Sequence, residues 1–169
     1  IWINDPDRDE AASRKMWQLK VATELGLRVP RTCMTSSPQR ARQFLDAEPG
    51  AVVYKSFSAT PSTWRETRPV GEAERGLLDT VRLAPVIFQE AIPGGRDVRV
   101  TIVGDRMFAA EIAVPAAGYE YDFRLHSADA TYTAIELPEQ IRRRLAALMQ
   151  RLGLHYGAAD FRRDVNGEL

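Results

Sequence analysis

From about Asp9 to Leu25, Ala12, Met16, Leu19 and Thr23 recur at intervals of three to four residues with charges between them. That step puts them on one face of an amphipathic helix, and Gly26 ends it, since glycine readily takes the left-handed conformation of a helix C-terminus. "RTCMT" reads as a short strand, and "SSPQRARQFLDAE" as a helix opened by a serine cap with proline in its first turn. "AVVYKSF" is dense in strand formers, "SATPSTW" is a polar loop, and a short strand is expected near Glu66 to Val70. "GEAERGLLDTVRLA" fits one further helix, and "PVIFQEAI" is an almost unbroken apolar strand stopped by "PGG". After it the pattern changes. "DVRVTIVGDRMFAAEIAV" is two strands about a Gly104-Asp105 turn, and Pro115 to about Glu136 is polar and irregular. "LPEQIRRRLAALMQRLGL" then places Ile141, Leu145, Leu148 and Leu152 on one helical face, with Gly153 at its end. Finally "YGAADFRRDVNGEL" reads as a strand running into an Asp-Val-Asn-Gly turn.

Composition narrows what this pattern can be. In 169 residues, 44% hydrophobic and 27% charged content supports a packed core, in one domain or in two small lobes sharing a cleft, so disorder is not the default. The 23 basic and 23 acidic residues cancel, so no general field draws nucleic acid or an anionic membrane. The single Cys33 cannot close an intramolecular disulfide, and no apolar run reaches membrane-span length. A reducing cytoplasm fits. The chain begins at Ile1 without methionine, which reads as a fragment of a longer polypeptide.

Several charged residues lie in awkward places. Lys55 interrupts a β-forming strand, where its head needs water or an anion. Lys15 falls on the polar side of the first helix. Glu90 ends an apolar strand and Asp97 opens the next, seven positions on, a pair that could hold a ligand's amine and hydroxyls or simply solubilise strand ends. Asp160, in a run of small residues, calls for Arg162 or Arg163 as counter-ion, or for a metal such as magnesium. Arg142 to Arg144 read as the solvated side of a helix, His126 and His155 have no zinc-site spacing, and Cys33 reads as a small strand residue.

The order of these segments carries more than any one of them. "SRKMWQLKVATELGLRVPRTCMTSS", "VVYKSF", "IFQEAIPGGRDVRVTIVG", "FAAEI", "DFR" and "LGLHYGAADFRRDVNGEL" together resemble the ATP-grasp ligases. Within them, "WIN", "VRVTIVGDRMFAAEI" and "YGAADF" are most similar to the graspetide, or microviridin-type, peptide maturases, with RimK-type and glutathione-synthase-like ligases as relatives. The resemblance implies an α+β fold of two lobes with mainly antiparallel sheets and a nucleotide cleft between them. Its parts would be an entry segment over residues 1–31, a small lobe over 32–92 in which "SATPSTW" is a lid, and an incomplete large lobe over 93–169, divided at "PGG". An N-terminal domain would precede this chain, and an E-x-N pair of ligands would follow Leu169.

The resemblance also assigns roles. Lys15 and Lys55 would reach the phosphates of ATP, Glu90 with the backbone of Ala91 and Ile92 would read the adenine, and Asp97 would hold the ribose. Arg124 of "DFR" would face the γ-phosphate or acyl phosphate, with Arg99 as a second candidate, and Asp160 would be the first magnesium ligand. The implied reaction activates a carboxylate as an acyl phosphate, captured by an amine or hydroxyl of a ribosomally made precursor peptide. A small-molecule or protein C-terminal amino-acid ligase, and a nucleotide- or peptide-binding module without catalysis, stand as alternatives. A homodimer is the implied assembly.

Overall fold

The computed structural model describes residues 2–57, 66–92, 96–114, 121–126 and 128–169. They fall into two compact units, one of Ile1–Val29, Pro93–Pro115 and Ala128–Leu169, the other of Pro30–Ile92 and Ala116–Ser127. Each has its own antiparallel sheet and its own core.

In the second unit, β1 (Thr32–Thr35), β2 (Val52–Ser56), β3 (Arg68–Pro69) and β4 (Val86–Glu90) form a sheet in the order β1-β4-β2-β3. The helix over Pro38–Ala47 has Ser37 as its N-cap, with a proline at the start. Its Ala41 and Leu45 pack with Val52, Phe88, Leu78 and Val81, and Cys33 is half-buried beside this cluster as the small strand residue expected of it. "GEAERGLLDTVRLA" is not one helix. It runs as a helix only over Glu72–Gly76, then tightens into a 3-10 turn over Leu78–Arg82. A turn of three residues is what aligns Leu78 and Val81, both buried, on one side.

In the first unit, β5 (Arg96–Val103), β6 (Arg106–Ala113), β7 (Thr131–Ile135) and β8 (Tyr156–Arg163) are ordered β7-β6-β5-β8. Gly104, at φ 61°, makes the hairpin turn between β5 and β6, a conformation that costs other residues more. Alternation along β5 buries Val98, Val100 and Ile102 against Ile141, Leu145 and Met149 of the helix Glu139–Leu152, and turns Asp97, Arg99 and Thr101 to the opposite face. Met149, rather than Leu148, is the buried third position of that helix. β7 falls inside the stretch expected to be irregular, because "TYTAI" has β propensity enough for an edge strand once β6 offers a partner.

The expected helix from Asp9 to Leu25 is two helices, α1 (Pro6–Ser13) and α2 (Lys15–Glu24), broken at an extended Arg14. Side chains take over the backbone bonds at the break: Ser13 Oγ donates to the Glu10 carbonyl at 2.7 Å, and Gln18 Nε2 to the Ala12 carbonyl at 2.6 Å. The buried positions become Ala12, Val21 and Ala22, while Met16 is 62% exposed. Among the described residues no helix is long and apolar enough to cross a membrane. "SATPSTW" and "PGG", the expected lid and boundary, lie outside the described residues.

Candidate functional site

Lys55 sits half-buried near the end of β2, on the sheet face that also carries Val53, Ile87, Gln89 and Thr32. Its Nζ donates to Gln89 Oε1 at 2.9 Å, Gln89 Nε2 donates to Thr32 Oγ1 at 2.9 Å, and Thr32 Oγ1 donates to the Pro30 carbonyl at 2.7 Å. Gln89 and Thr32 thus tie the lysine across three strands without cancelling its charge.

At the end of β4 the chain is clasped by Arg31. Glu90 N–H donates to the Arg31 carbonyl at 2.9 Å, and Arg31 N–H donates to Glu90 Oε2 at 3.2 Å. Ala91 N–H donates to the Ala51 carbonyl at 2.9 Å, so what Ala91 can offer a nucleotide base is its carbonyl. Ile92 follows directly. Arg124 lies in a short 3-10 turn over Phe123–His126, where Nε and Nη2 reach the two carboxylate oxygens of Asp122 at 2.7 and 2.6 Å. Asp122 is buried, and its Oδ2 also accepts from Thr67 N–H at 3.2 Å. Burial pushes the Asp122 carboxyl up, but the hydrogen bonds from Arg124 and Thr67 outweigh it and hold it below the usual carboxylate range. Half of the Arg124 side chain remains exposed.

The other unit carries Asp97 and Asp160. On the face of β5 and β8 away from the core, Asp97 lies opposite Arg162, and Arg99 opposite Asp160. Arg162 Nη1 is 3.4 Å from Asp97 Oδ1, and Arg99 Nη1 is 3.4 Å from Asp160 Oδ1. Four charges of alternating sign thus form a square across two strands. The counter-ion of Asp160 is Arg99, not Arg162 or Arg163; a strand alternates its faces, which sends Arg163 to the other side with Glu111 at 3.1 Å. The Arg96 hydrogen bond first, and Arg163 after it, hold Glu111 below its ordinary range against the opposing effect of burial. Beyond β8, Asp164 Oδ1 accepts from Asn166 and Glu168 N–H, and Asp164 N–H reaches back to the Glu168 carbonyl at 2.8 Å. With Gly167 at φ 83°, the chain turns back on itself here.

As a magnesium ligand, Asp160 offers an oxygen donor that is 53% exposed, which suits a hard cation. It is a single ligand. Among the described residues no group of three His, Cys, Asp or Glu could hold a metal ion. Lys15 is exposed in the first turn of α2. Arg142 and Arg143 both pair with Glu139, one turn away on an exposed helical face, as expected of a solvated side. Four residues escaped the sequence reading. Gln89, Thr32 and Asp122 act through partners on other strands or loops, and only the position of Asp122 within "DFR" marked it. Asn4, in "WIN", accepts at Oδ1 from His155 and Tyr156 N–H at 2.9 Å each and donates to the Tyr156 carbonyl at 2.9 Å, fixing the start of the Asp160 strand.

No protein-family profile matches the chain. Among curated proteins, an alignment of 161 positions covers 92% of the chain and 52% of a probable alpha-L-glutamate ligase of Vibrio cholerae serotype O1, at 27% identity. The chain spans about half the length of the curated relatives it matches. Among solved structures, a RiPP-associated ATP-grasp ligase of Chryseobacterium gregarium, in complex with ADP and a leader and core peptide, superposes on 98% of this chain with a TM-score of 0.85 at 26% identity. The chain has the ATP-grasp fold. The match covers 52% of that ligase. Two further solved structures are similar to this chain. Macrocyclase MdnC of Microcystis aeruginosa, bound with precursor peptide MdnA, matches 98% of it at 31% identity and a TM-score of 0.84, over 53% of MdnC. The ATP-grasp ligase PsnB, complexed with minimal precursor, Mg and ADP, matches 98% of it at 26% identity and a TM-score of 0.77, over 50% of PsnB.

Proposed function

We propose that the complete protein is an ADP-forming ligase that crosslinks side chains of a ribosomally made precursor peptide into ω-ester or ω-amide rings. The likeness to MdnC, a macrocyclase bound with its precursor, across 98% of this chain carries the reading. In the reaction a side-chain carboxylate of the peptide attacks the γ-phosphorus of ATP, giving an acyl phosphate and ADP. A hydroxyl or amine of the same peptide then attacks the acyl carbon, loses its proton and expels phosphate.

Each step builds or relocates negative charge, and the residues proposed for it answer that charge. Lys55 and Lys15 bind the phosphates, and Arg124, held in a fixed plane by Asp122, faces the transferring group. Arg99 is the second cation for that group once its pairing with Asp160 is exchanged. Asp97 orients the ribose, while Glu90, Ala91 and Ile92 present the backbone that reads the base. Asp160 would hold magnesium, which supplies neutralisation of the phosphate oxygens when bound. The protein would work in the cytoplasm, where ATP is supplied.

The deciding experiment incubates the complete protein with magnesium, ATP and a short peptide encoded beside its gene. Loss of one water per ring by mass spectrometry, with ADP released in step, is the expected result. The curated relatives favour a second reading, ligation of glutamate to an acceptor. Gain of glutamyl units, with no loss of water, would establish that reading in place of the first.

A further inference from the structure

The Lys55, Gln89 and Thr32 row has a direction built into it. Thr32 Oγ1 lies 2.7 Å from the Pro30 carbonyl, so its proton is committed there and the hydroxyl faces Gln89 as an acceptor. That fixes the amide, since Nε2 must point to Thr32 at 2.9 Å and Oε1 is left facing Lys55 Nζ at 2.9 Å. The row lies beside Ile87 and Val53, which are 0% and 6% exposed, so an ammonium held there stands next to apolar side chains. A glutamate in place of Gln89 would accept the same hydrogen bond while cancelling the lysine's charge. The amide thus positions the ammonium without itself cancelling the charge.

We propose that Gln89 is the positioning residue for Lys55, locked in its amide orientation by Thr32, and that the pair sets how strongly the protein holds the phosphates of a nucleoside di- or triphosphate. The proposal rests on the reading that Lys55 meets those phosphates. Its signature is selectivity, because the row touches the phosphate end of the site and leaves the nucleoside end alone.

Calorimetric titration of the complete protein with magnesium ADP and, separately, with adenosine tests it. Gln89→Leu is expected to raise the Kd for ADP about tenfold, the equivalent of one charge-assisted hydrogen bond, with adenosine binding unchanged. Thr32→Val should weaken ADP in the same selective way but by less, and Thr32→Ser, which keeps the hydroxyl, should restore it. Gln89→Glu should weaken ADP at least as much as Gln89→Leu, and it keeps the test open if the leucine variant fails to fold. In a Lys55→Ala background, Gln89→Leu should add nothing. Equal weakening of ADP and adenosine, or a full effect of Gln89→Leu without Lys55, overturns the positioning role and leaves the phosphate role of Lys55 standing. A Lys55→Ala variant that binds ADP as well as the native protein does overturns both.

Discussion

The two sheets hold their candidate charges in opposite ways. In the β1-β4-β2-β3 sheet the lysine is steadied by an amide backed by a hydroxyl, neither of which cancels its positive charge. In the β7-β6-β5-β8 sheet each acid is matched by an arginine on the neighbouring strand, and the charges cancel in pairs. An amide can hold a cation in place without neutralising it. An arginine on the next strand shares the charge of its carboxylate, so in the role proposed for Asp160 a metal would compete with Arg99 for that charge.

The hardest test of this contrast removes the charge on each side. In the complete protein, Lys55→Ala and Asp160→Asn should each lower peptide-dependent ATP turnover about a thousandfold, the scale of losing one preorganised electrostatic group. Circular dichroism should show the fold retained, and unchanged turnover by either variant would remove that residue from the site. Next comes the difference between the two faces of one sheet. Leu145→Ala, on the core face and fully buried, should cost roughly 2–5 kcal/mol in urea unfolding. Arg99→Ala, on the charged face where its pair with Asp160 is about half exposed, should cost about 1 kcal/mol or less. Similar costs would mean that the charged square is there for stability. A smaller effect separates the acids from each other: Asp97→Ala should raise the KM for ATP about tenfold, as loss of a charged hydrogen bond does, with kcat retained. A fall in kcat at saturating ATP would place Asp97 at the reacting phosphate instead.

The smallest effect concerns acid. The folded-state pKa of Asp122 lies below its unfolded value, so the Asp122 clamp on Arg124 and Thr67 contributes stability above the unfolded pKa of about 4. That contribution is lost as pH falls through the folded value. Hydrogen exchange of the Thr67 amide should quicken, relative to neighbouring amides, over this acid range, and Asp122→Asn should abolish the response.

Most of the elements were legible because they depend on local pattern. The β5-β6 hairpin, the helix Glu139–Leu152 and the capped helix Pro38–Ala47 each announce themselves by period, turn glycine or cap. The resemblance to ATP-grasp ligases, and the two-sheet α+β fold that it implied, held for the same reason, since ordered motifs survive where overall identity is low. What escaped was settled by competition or by distant partners. The break at Arg14 depends on Ser13 and Gln18 outbidding the helix for its own carbonyls. β7 exists because β6 leaves an edge to be paired. The choice of Arg99 for Asp160 follows from strand register, which no local window contains.

The Asn4 clamp has a consequence for the order in which the chain is made. During synthesis the segment Ile1–Val29 is made before the rest of its unit, yet the Asn4 amide bonds to His155 and Tyr156, 151 and 152 positions later in the chain. The intervening Pro30–Ile92 stretch already contains a complete four-stranded sheet. That sheet can form while α1 and α2 wait, so a unit begun before it is completed after it. The strand that presents Asp160 is the one whose arrival ends the wait.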